Sequence, residues 1–393
     1  MKLLFVTASL GLGGSEKCMA EMIRRIDLDR FDITVLALMP VENTLRFDPR
    51  IRVINGIPAF ERLNSPMSCY VKEAAAAGRF YELYCKSRYW LWTKTKKDHI
   101  SKYFWRALAR FIPEWEQAYD AVIGYGQGPA TFFAIDKVPN AKKKILWVNT
   151  DLKRAGYDIR YISRFYLSAD QIAADSEHTR RFLSELYPQK AEQIVCFRNM
   201  LNSEEMRKAA QAKMTPPMDD TKVKLLTVGR MAEAKALHLA VEAAAILKAH
   251  DVPFHWYFIG DGNLRASIEE LIDKRNVQDC VHLLGAKKNP YPWFRACDIY
   301  VQTSIYEGSC MVINEALIFA KPVVSTNFPA AYEKIQDGKN GLICEMSGQS
   351  IADCAGRLIA DPALRQSMQD YICRNQSQWE SSIQQLYDML EGM

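Results

Sequence analysis

Short apolar runs alternate with amphipathic stretches along most of the chain. Residues 3–8, 33–38, 121–124, 144–148 and 171–174 form one series of such runs, and residues 224–228, 256–259, 281–284, 299–302 and 322–325 form a second. Continuous short runs bounded by turn residues predict strands buried on both faces. Between them, residues 16–25, 179–186, 237–249, 263–274 and 311–320 carry apolar side chains at helical spacing, which predicts helices with one buried face. Alternation of this kind predicts parallel sheets covered by helices.

The series starts twice. The run 3–8 leads into Gly11-Leu12-Gly13-Gly14, and the run 224–228 leads into Gly229-Arg230. A polar, proline-containing stretch at 214–220 precedes the second start. The predicted architecture is α/β, with two Rossmann-like domains, 1–200 and 201–370, facing across a cleft. Sheets of this type bind ligands at the carboxyl ends of their strands. A last helical pattern over 363–390 predicts that a C-terminal segment, 371–393, crosses back to the first domain.

A length of 393 residues suits this division, because single cores rarely grow beyond ~250–300 residues. With 49% hydrophobic and 25% charged residues, the composition excludes a disordered, collagen-like or disulfide-framework protein. No apolar run approaches the roughly 20 residues of a membrane-spanning helix. The first ten residues carry only Lys2 as a basic flank and lead into a glycine loop, a poor match to an export signal. The ten cysteines include no C-x-x-C pair and read as buried free thiols in a reducing cytoplasm.

The net charge of +5 is mild, but its distribution is not. Lys72, Arg79, Lys86, Arg88, Lys94, Lys96, Lys97, Lys102, Arg106 and Arg110 face only Glu73, Glu82 and Asp98 within residues 71–110. Aromatic residues interleave with them, including Phe80, Tyr81, Tyr84, Tyr89, Trp90, Trp92, Tyr103, Phe104 and Trp105. The segment reads as a helical insertion over about 58–115. It suits either an anionic membrane surface or ordinary helices packed on the first domain. No nucleic-acid motif accompanies it.

Several stretches carry chemistry. Gly11-Leu12-Gly13-Gly14 follows a strand and opens a helix, where amides can approach an anion, although a plain tight turn reads the same way. Glu16 stands where a dinucleotide fingerprint needs its third glycine, which disfavours an NAD-binding oxidoreductase. Arg230 and Lys235, near a helix start, suit a diphosphate or are solvated cations. Glu307 and Glu315 lie eight positions apart, a little over two helical turns, which predicts two carboxylates facing one cleft. Gly308 allows close backbone approach, and the amides of Cys310, Met311 and Val312 fall at the predicted helix start. Asp27-Leu28-Asp29 reads as a turn and His178 as a helix-start residue.

The ordered set Gly229-Arg230 with Lys235, Gly260-Asp261-Gly262, 289–293, Asp298-Ile299-Tyr300, Glu307-Gly308 with Glu315-Ala316, Lys321-Pro322 and Asn340-Gly341 resembles the retaining GT-B glycosyltransferases of family 4. The resemblance covers nearly the whole chain and is densest over 227–345. It implies that Arg230 and Lys235 bind the diphosphate of a nucleotide sugar, UDP-linked, and that Glu315 binds the ribose. Glu307, as a catalytic residue, and Gly308, Ser309, Cys310, Met311 and Val312 hold the donor sugar, with Gly13, Gly14 and Gly262 also donor-binding.

Many relatives carry His where this chain has Asn149, the second expected catalytic residue. The resemblance further implies no cofactor and no metal, a glycan or polyprenyl-linked acceptor, and surface polysaccharide synthesis at the inner face of the membrane. A nucleotide-sugar epimerase of related architecture and a non-catalytic sugar-binding homologue are the alternatives.

Overall fold

The computed structural model describes residues 1–11, 13–42, 45–95, 99–375 and 382–392. Lys96 and Lys97 of the basic segment and Trp379 of the C-terminal pattern lie outside the described residues. The chain divides into two compact units, Met1–Met200 with Ser381–Met393, and Leu201–Glu380.

The first unit is built on a seven-stranded parallel sheet. Its strands are β1 (Lys2–Thr7), β2 (Asp32–Ala37), β3 (Arg52–Asn55), β4 (Tyr119–Tyr125), β5 (Ala141–Val148), β6 (Gln171–Ala174) and β7 (Ile194–Cys196). They run in the order β3-β2-β1-β4-β5-β6-β7. Successive β1 side chains enter opposite layers: Leu4 and Val6 join one core, and Leu3 and Phe5 the other. Burial on both faces explains why this strand reads as a continuous apolar run.

The second unit repeats the plan with six strands: β8 (Val223–Val228), β9 (Phe254–Ile259), β10 (Val281–Leu283), β11 (Ile299–Gln302), β12 (Val323–Thr326) and β13 (Gly341–Cys344). Their order is β10-β9-β8-β11-β12-β13. In both sheets the order in which strands are added reverses beside the first strand, at β1/β4 and at β8/β11. Loops leaving the carboxyl ends of such a strand pair diverge and leave room for a ligand.

The helix α1 (Gly14–Arg24) follows β1. Between β3 and β4 lie α2 (Pro58–Asn64), α3 (Met67–Ala76), α4 (Phe80–Thr95) and α5 (Ile100–Leu108), where the sequence places an insertion.

The pattern over 363–390 does not form one helix. The helix Pro362–Arg374 belongs to the second unit, and the helix Ile383–Glu391 belongs to the first. Its Leu386, Tyr387, Met389 and Leu390 enter the core layer of Leu3 and Phe5. The Tyr387 ring stacks on Phe31 with centroids 5.3 Å apart, and its hydroxyl accepts from the Asp27 amide at 2.9 Å.

Candidate active site

The loop after β8 is shaped by close backbone packing. The Gly229 amide donates to Ile259 O and the Met231 amide to Asp261 O, both at 2.9 Å. A Cβ at Gly260 would lie 1.8 Å from Gly229 O, and one at Gly262 would lie 2.4 Å from Met231 O. Only glycine permits that approach. Gly262 is therefore the floor under the Arg230 loop, and the Arg230 side chain above it is exposed.

Lys235 was expected at a helix start. It instead closes a 3-10 turn, Glu233–Lys235, and the following helix begins at Leu237. Ala236 joins the two with φ 44°, in the left-handed region. Glycine adopts that conformation more readily than alanine, so the surrounding turn holds Ala236 in it. The turn aims the Lys235 ammonium at Glu307 Oε1, with which it forms an ion pair. The two side chains are 19% and 16% exposed. Burial, the largest single influence, lowers the lysine's pKa, but the charge and hydrogen bond of Glu307 together with the nearby Cys310 outweigh it, so the value is raised.

Glu307 arrives from the loop after β11, the neighbour of β8. The Ile305 amide donates to Ala234 O and the Thr303 hydroxyl to Lys235 O, both at 2.8 Å, so the two loops are stitched together. A line of polar side chains leads up the strand to the carboxylate. Tyr300 donates to Gln302 at 2.6 Å, Gln302 to Ser304 at 2.6 Å, and Ser304 to Glu307 Oε1 at 2.7 Å.

The helix that follows begins only at Met311, so Glu307 is not on it. The two-turn relation expected between Glu307 and Glu315 does not hold. Glu315 lies in the helix Met311–Ile318, where Tyr291 Oη approaches its Oε1 at 3.5 Å. Gly308, Ser309 and Cys310 are buried between these carboxylates in sequence, and Cys310 has φ 45°. Burial first, and Glu307 second, push the Cys310 thiol up to about 12. It is a neutral thiol at physiological pH, not a nucleophile. Among the described residues, the amides of Cys310, Met311 and Val312 donate to no protein oxygen. They form an unsatisfied helix N-terminus beside Glu307, which suits anionic or hydroxyl oxygens.

In the first unit, Gly13 caps α1 and Gly14 opens it. A Cβ on Gly14 would meet nothing within 4 Å, so the backbone there faces open space. Asn149 follows β5, and its Nδ2 donates to Ser15 Oγ at 2.7 Å. The glycine loop and Asn149 thus share one end of the first sheet. Among the described residues, the buried Asn149 Oδ1 has no hydrogen-bond partner. His178 stands in the first turn of the helix Glu177–Leu186, which Ser176 caps, and the Asp29 amide donates to Asp27 Oδ1 at 3.0 Å in a tight turn. Both match their sequence readings. Among the described residues, no group of three His, Cys, Asp or Glu side chains is arranged to hold a metal ion.

The insertion separates its aromatics. Tyr103, Phe104 and Trp105 of α5 are buried, whereas Phe80, Tyr81, Tyr84, Trp90 and Leu91 of α4 are exposed, Phe80 by 66%. Phe80, Tyr84 and Leu91 form one stripe, flanked by exposed Arg88 and Lys94. The one carboxylate of α4, Glu82, points inward to Tyr70 and Arg62. The outer face is therefore aromatic and cationic with no acid on it. No helix among the described residues is long and apolar enough to cross a membrane.

Sequence reasoning missed Tyr291, the polar line from Tyr300 to Ser304, and Lys334, whose ammonium reaches the Ser309 and Cys310 carbonyls. Only alternate polar positions 302 and 304 at the end of a buried strand hint at that line.

The fold is that of the GT-B glycosyltransferases. Residues 210–374 match the family of glycosyl transferases group 1, and hold the Arg230, Lys235, Glu307 and Glu315 arrangement. The lipopolysaccharide core biosynthesis glycosyltransferase LpsE of Rhizobium meliloti is 30% identical over 156 residues, 39% of this chain and 44% of that protein. An N-acetylgalactosamine-N,N'-diacetylbacillosaminyl-diphospho-undecaprenol 4-alpha-N-acetylgalactosaminyltransferase of Campylobacter jejuni is 27% identical over 193 residues, 48% of this chain and 50% of that protein. The chain spans about half, or less, of the length of these curated relatives. Anabaena HepE, solved in complex with UDP, superposes with a TM-score of 0.69 at 17% identity over 100% of both chains.

Proposed function

We propose that the protein is a retaining glycosyltransferase of family 4. It moves a sugar from a nucleotide sugar, UDP-linked, to a glycan or polyprenyl-linked saccharide in surface polysaccharide synthesis. The observation that carries this reading is the junction of the β8 and β11 loops, where Arg230, Lys235, Glu307 and three unbonded amides come together. The group 1 match over 210–374, the UDP complex of HepE and the lipid-linked acceptor in the Campylobacter relative's name support it.

In this reading Arg230 and Lys235 meet the diphosphate, and Glu315 accepts the ribose hydroxyls. Lys235 turns from Glu307 to the diphosphate when the donor binds, which frees Glu307 to accept sugar hydroxyls. The bond from the anomeric carbon to the phosphate oxygen breaks, and the acceptor oxygen bonds to that carbon on the same face. The acceptor proton passes to the departing phosphate. Fixed cations and amides stabilise the charge gathering there without reorganising at the moment of reaction. No metal ion takes part. Asn149, whose Oδ1 beside the glycine loop has no partner among the described residues, accepts a hydrogen bond from a sugar hydroxyl on the acceptor side.

The acceptor's lipid places the reaction at a membrane, and the outer face of α4 is the docking surface. Its aromatic stripe enters the headgroup region while Arg88 and Lys94 meet anionic lipid, so the protein is peripheral on the cytoplasmic leaflet.

The test is incubation with a panel of nucleotide sugars and a polyprenyl-diphosphate saccharide, with the product's anomeric configuration read by NMR. The expected result is transfer with the donor's configuration kept, at a rate unchanged by EDTA. An inverted product would overturn the retaining mechanism, and isomerisation of the donor without transfer would make the protein an epimerase.

A further inference from the structure

Lys334 is a lysine only 7% exposed, and the proposed chemistry does not use it. It follows the 3-10 turn Pro329–Ala331 after β12. Asn340, fully buried, fixes its backbone: Nδ2 donates to Lys334 O, and Oδ1 accepts from the Gln336 amide, both at 2.8 Å. The Lys334 ammonium donates to Ser309 O, and to Ser309 Oγ and Cys310 O at 3.2 Å.

Two successive carbonyls are thus turned toward one cation. In a trans peptide the C=O and N–H point in opposite directions. The amides of Cys310 and Met311 must therefore point away from Lys334, and both lack a protein acceptor among the described residues. The residue between these two peptide planes, Cys310, is left-handed with φ 45° and ψ 64°. Side chains with a Cβ rarely adopt that conformation, so it persists only where the surroundings fix it. Here the Lys334 ammonium contacts both flanking carbonyls, and the Ile313 amide also donates to Cys310 O.

We infer that Lys334 is a positioning residue for the donor, holding the Ser309 and Cys310 peptides so that the amides of Cys310 and Met311 face the sugar-phosphate. This rests on the reading of the loop after β11 as the donor loop. The charge of Lys334 lies behind those amides and adds to the field of Arg230 and Lys235.

The test compares wild type, Lys334→Met and Lys334→Met/Cys310→Gly by calorimetry with UDP and by hydrogen exchange of the ligand-free protein. Loss of the clamp is expected to weaken UDP about tenfold, the usual scale for a lost charge-assisted contact. The Ile313 amide, which donates to Cys310 O at 3.1 Å, is expected to exchange about tenfold faster while the rest of the unit is unchanged. Glycine adopts the left-handed conformation without a clamp, so the double variant is expected to bind within about threefold of wild type.

Rescue of that kind separates positioning from a general loss of packing, which glycine would worsen. Lys334→Gln, which keeps one donor, replaces Lys334→Met if the apolar variant does not fold. Unchanged exchange and affinity in the single variant, or a loss that glycine does not restore, would overturn the inference. Failure of wild type to bind UDP would instead overturn the donor assignment, and the exchange measurement would still decide the clamp.

Discussion

The Lys235 ammonium pairs with Glu307 through Oε1, the oxygen that the Ser304 hydroxyl also reaches at 2.7 Å. The cation expected to hold a diphosphate and the carboxylate expected to hold a sugar thus neutralise one another in the ligand-free protein. In the proposed mechanism donor binding exchanges one set of partners for another, so neither group is left buried and unpaired.

That pair should be measurable without ligand. In a double-mutant cycle, Lys235→Met and Glu307→Gln are expected to couple by about 1–2 kcal/mol, the range for contacting charged groups that are mostly shielded from water. Urea unfolding of the four proteins gives the coupling. Additive effects would mean that the pair contributes nothing.

The two carboxylates should fail differently. On the proposed reading Glu315→Gln removes a ribose contact present in bound and reacting donor alike, so KM is expected to rise with little change in kcat. Glu307→Gln would alter the proposed contact to the sugar, whose charge changes during reaction, so kcat is expected to fall. A reversed pattern in steady-state kinetics would show that the roles are exchanged.

The α4 face should bind anionic vesicles. Each cation near such a surface is worth about 1 kcal/mol, so Arg88→Glu with Lys94→Glu is expected to release the protein from phosphatidylserine liposomes. Tyr84→Ser with Leu91→Ser should do the same at low salt, because it removes the apolar part. UDP affinity should survive in both, since Arg230 and Lys235, the proposed diphosphate contacts, belong to the second unit. Equal co-sedimentation of wild type and both variants would make α4 an ordinary solvated helix.

His282 of the second sheet sets an acid limb. His282 Nε2 lies 3.0 Å from His255 Nδ1. Burial first, then the neighbouring His255, hold the His282 pKa below its ordinary 6.5. Below that value the unfolded chain takes up a proton that the folded His282 resists. The stability it contributes near neutrality is therefore lost as pH falls through the folded value. His282→Gln is expected to flatten the fall in urea midpoint between pH 7 and pH 5, and an unchanged slope would assign the limb to other groups. His99, held below its ordinary value by burial, adds a similar limb from the first unit that this substitution leaves in place.

Central strands such as β1 and β9 were legible because burial on both faces makes them continuous apolar runs. The edge strands β3 and β13 and the three-residue β7 were not. β3 is mostly exposed, and β13 opens on Gly341, where a Cβ would lie 2.2 Å from Val323 O. Within the candidate site, the motif marks Arg230, Lys235, Glu307 and Glu315, and the structure pairs Lys235 with Glu307, but the helical spacing expected to relate the two carboxylates does not apply. Spacing along a helix cannot relate them when one lies in a loop. Lys334 carries no motif at all. Its place under the Ser309 and Cys310 carbonyls is set by how the turn after β12 packs, which no local pattern of residues encodes. The single pattern over 363–390 likewise hid a change of unit, because both helices have one apolar face and nothing in their periodicity says which core each face enters.

The central claim is that the β8–β11 junction binds a nucleoside diphosphate. The most direct measurement is calorimetric titration of UDP into wild type and Arg230→Ala, with folding verified by circular dichroism. Arg230 is exposed in the ligand-free protein and holds no other group among the described residues, so its loss should cost binding and not stability. The expected result is saturable binding by wild type and a loss of about ten- to a hundredfold in the variant, the cost of a charge-assisted contact to phosphate. Equal affinity in both proteins, or no binding by folded wild type, would contradict the account.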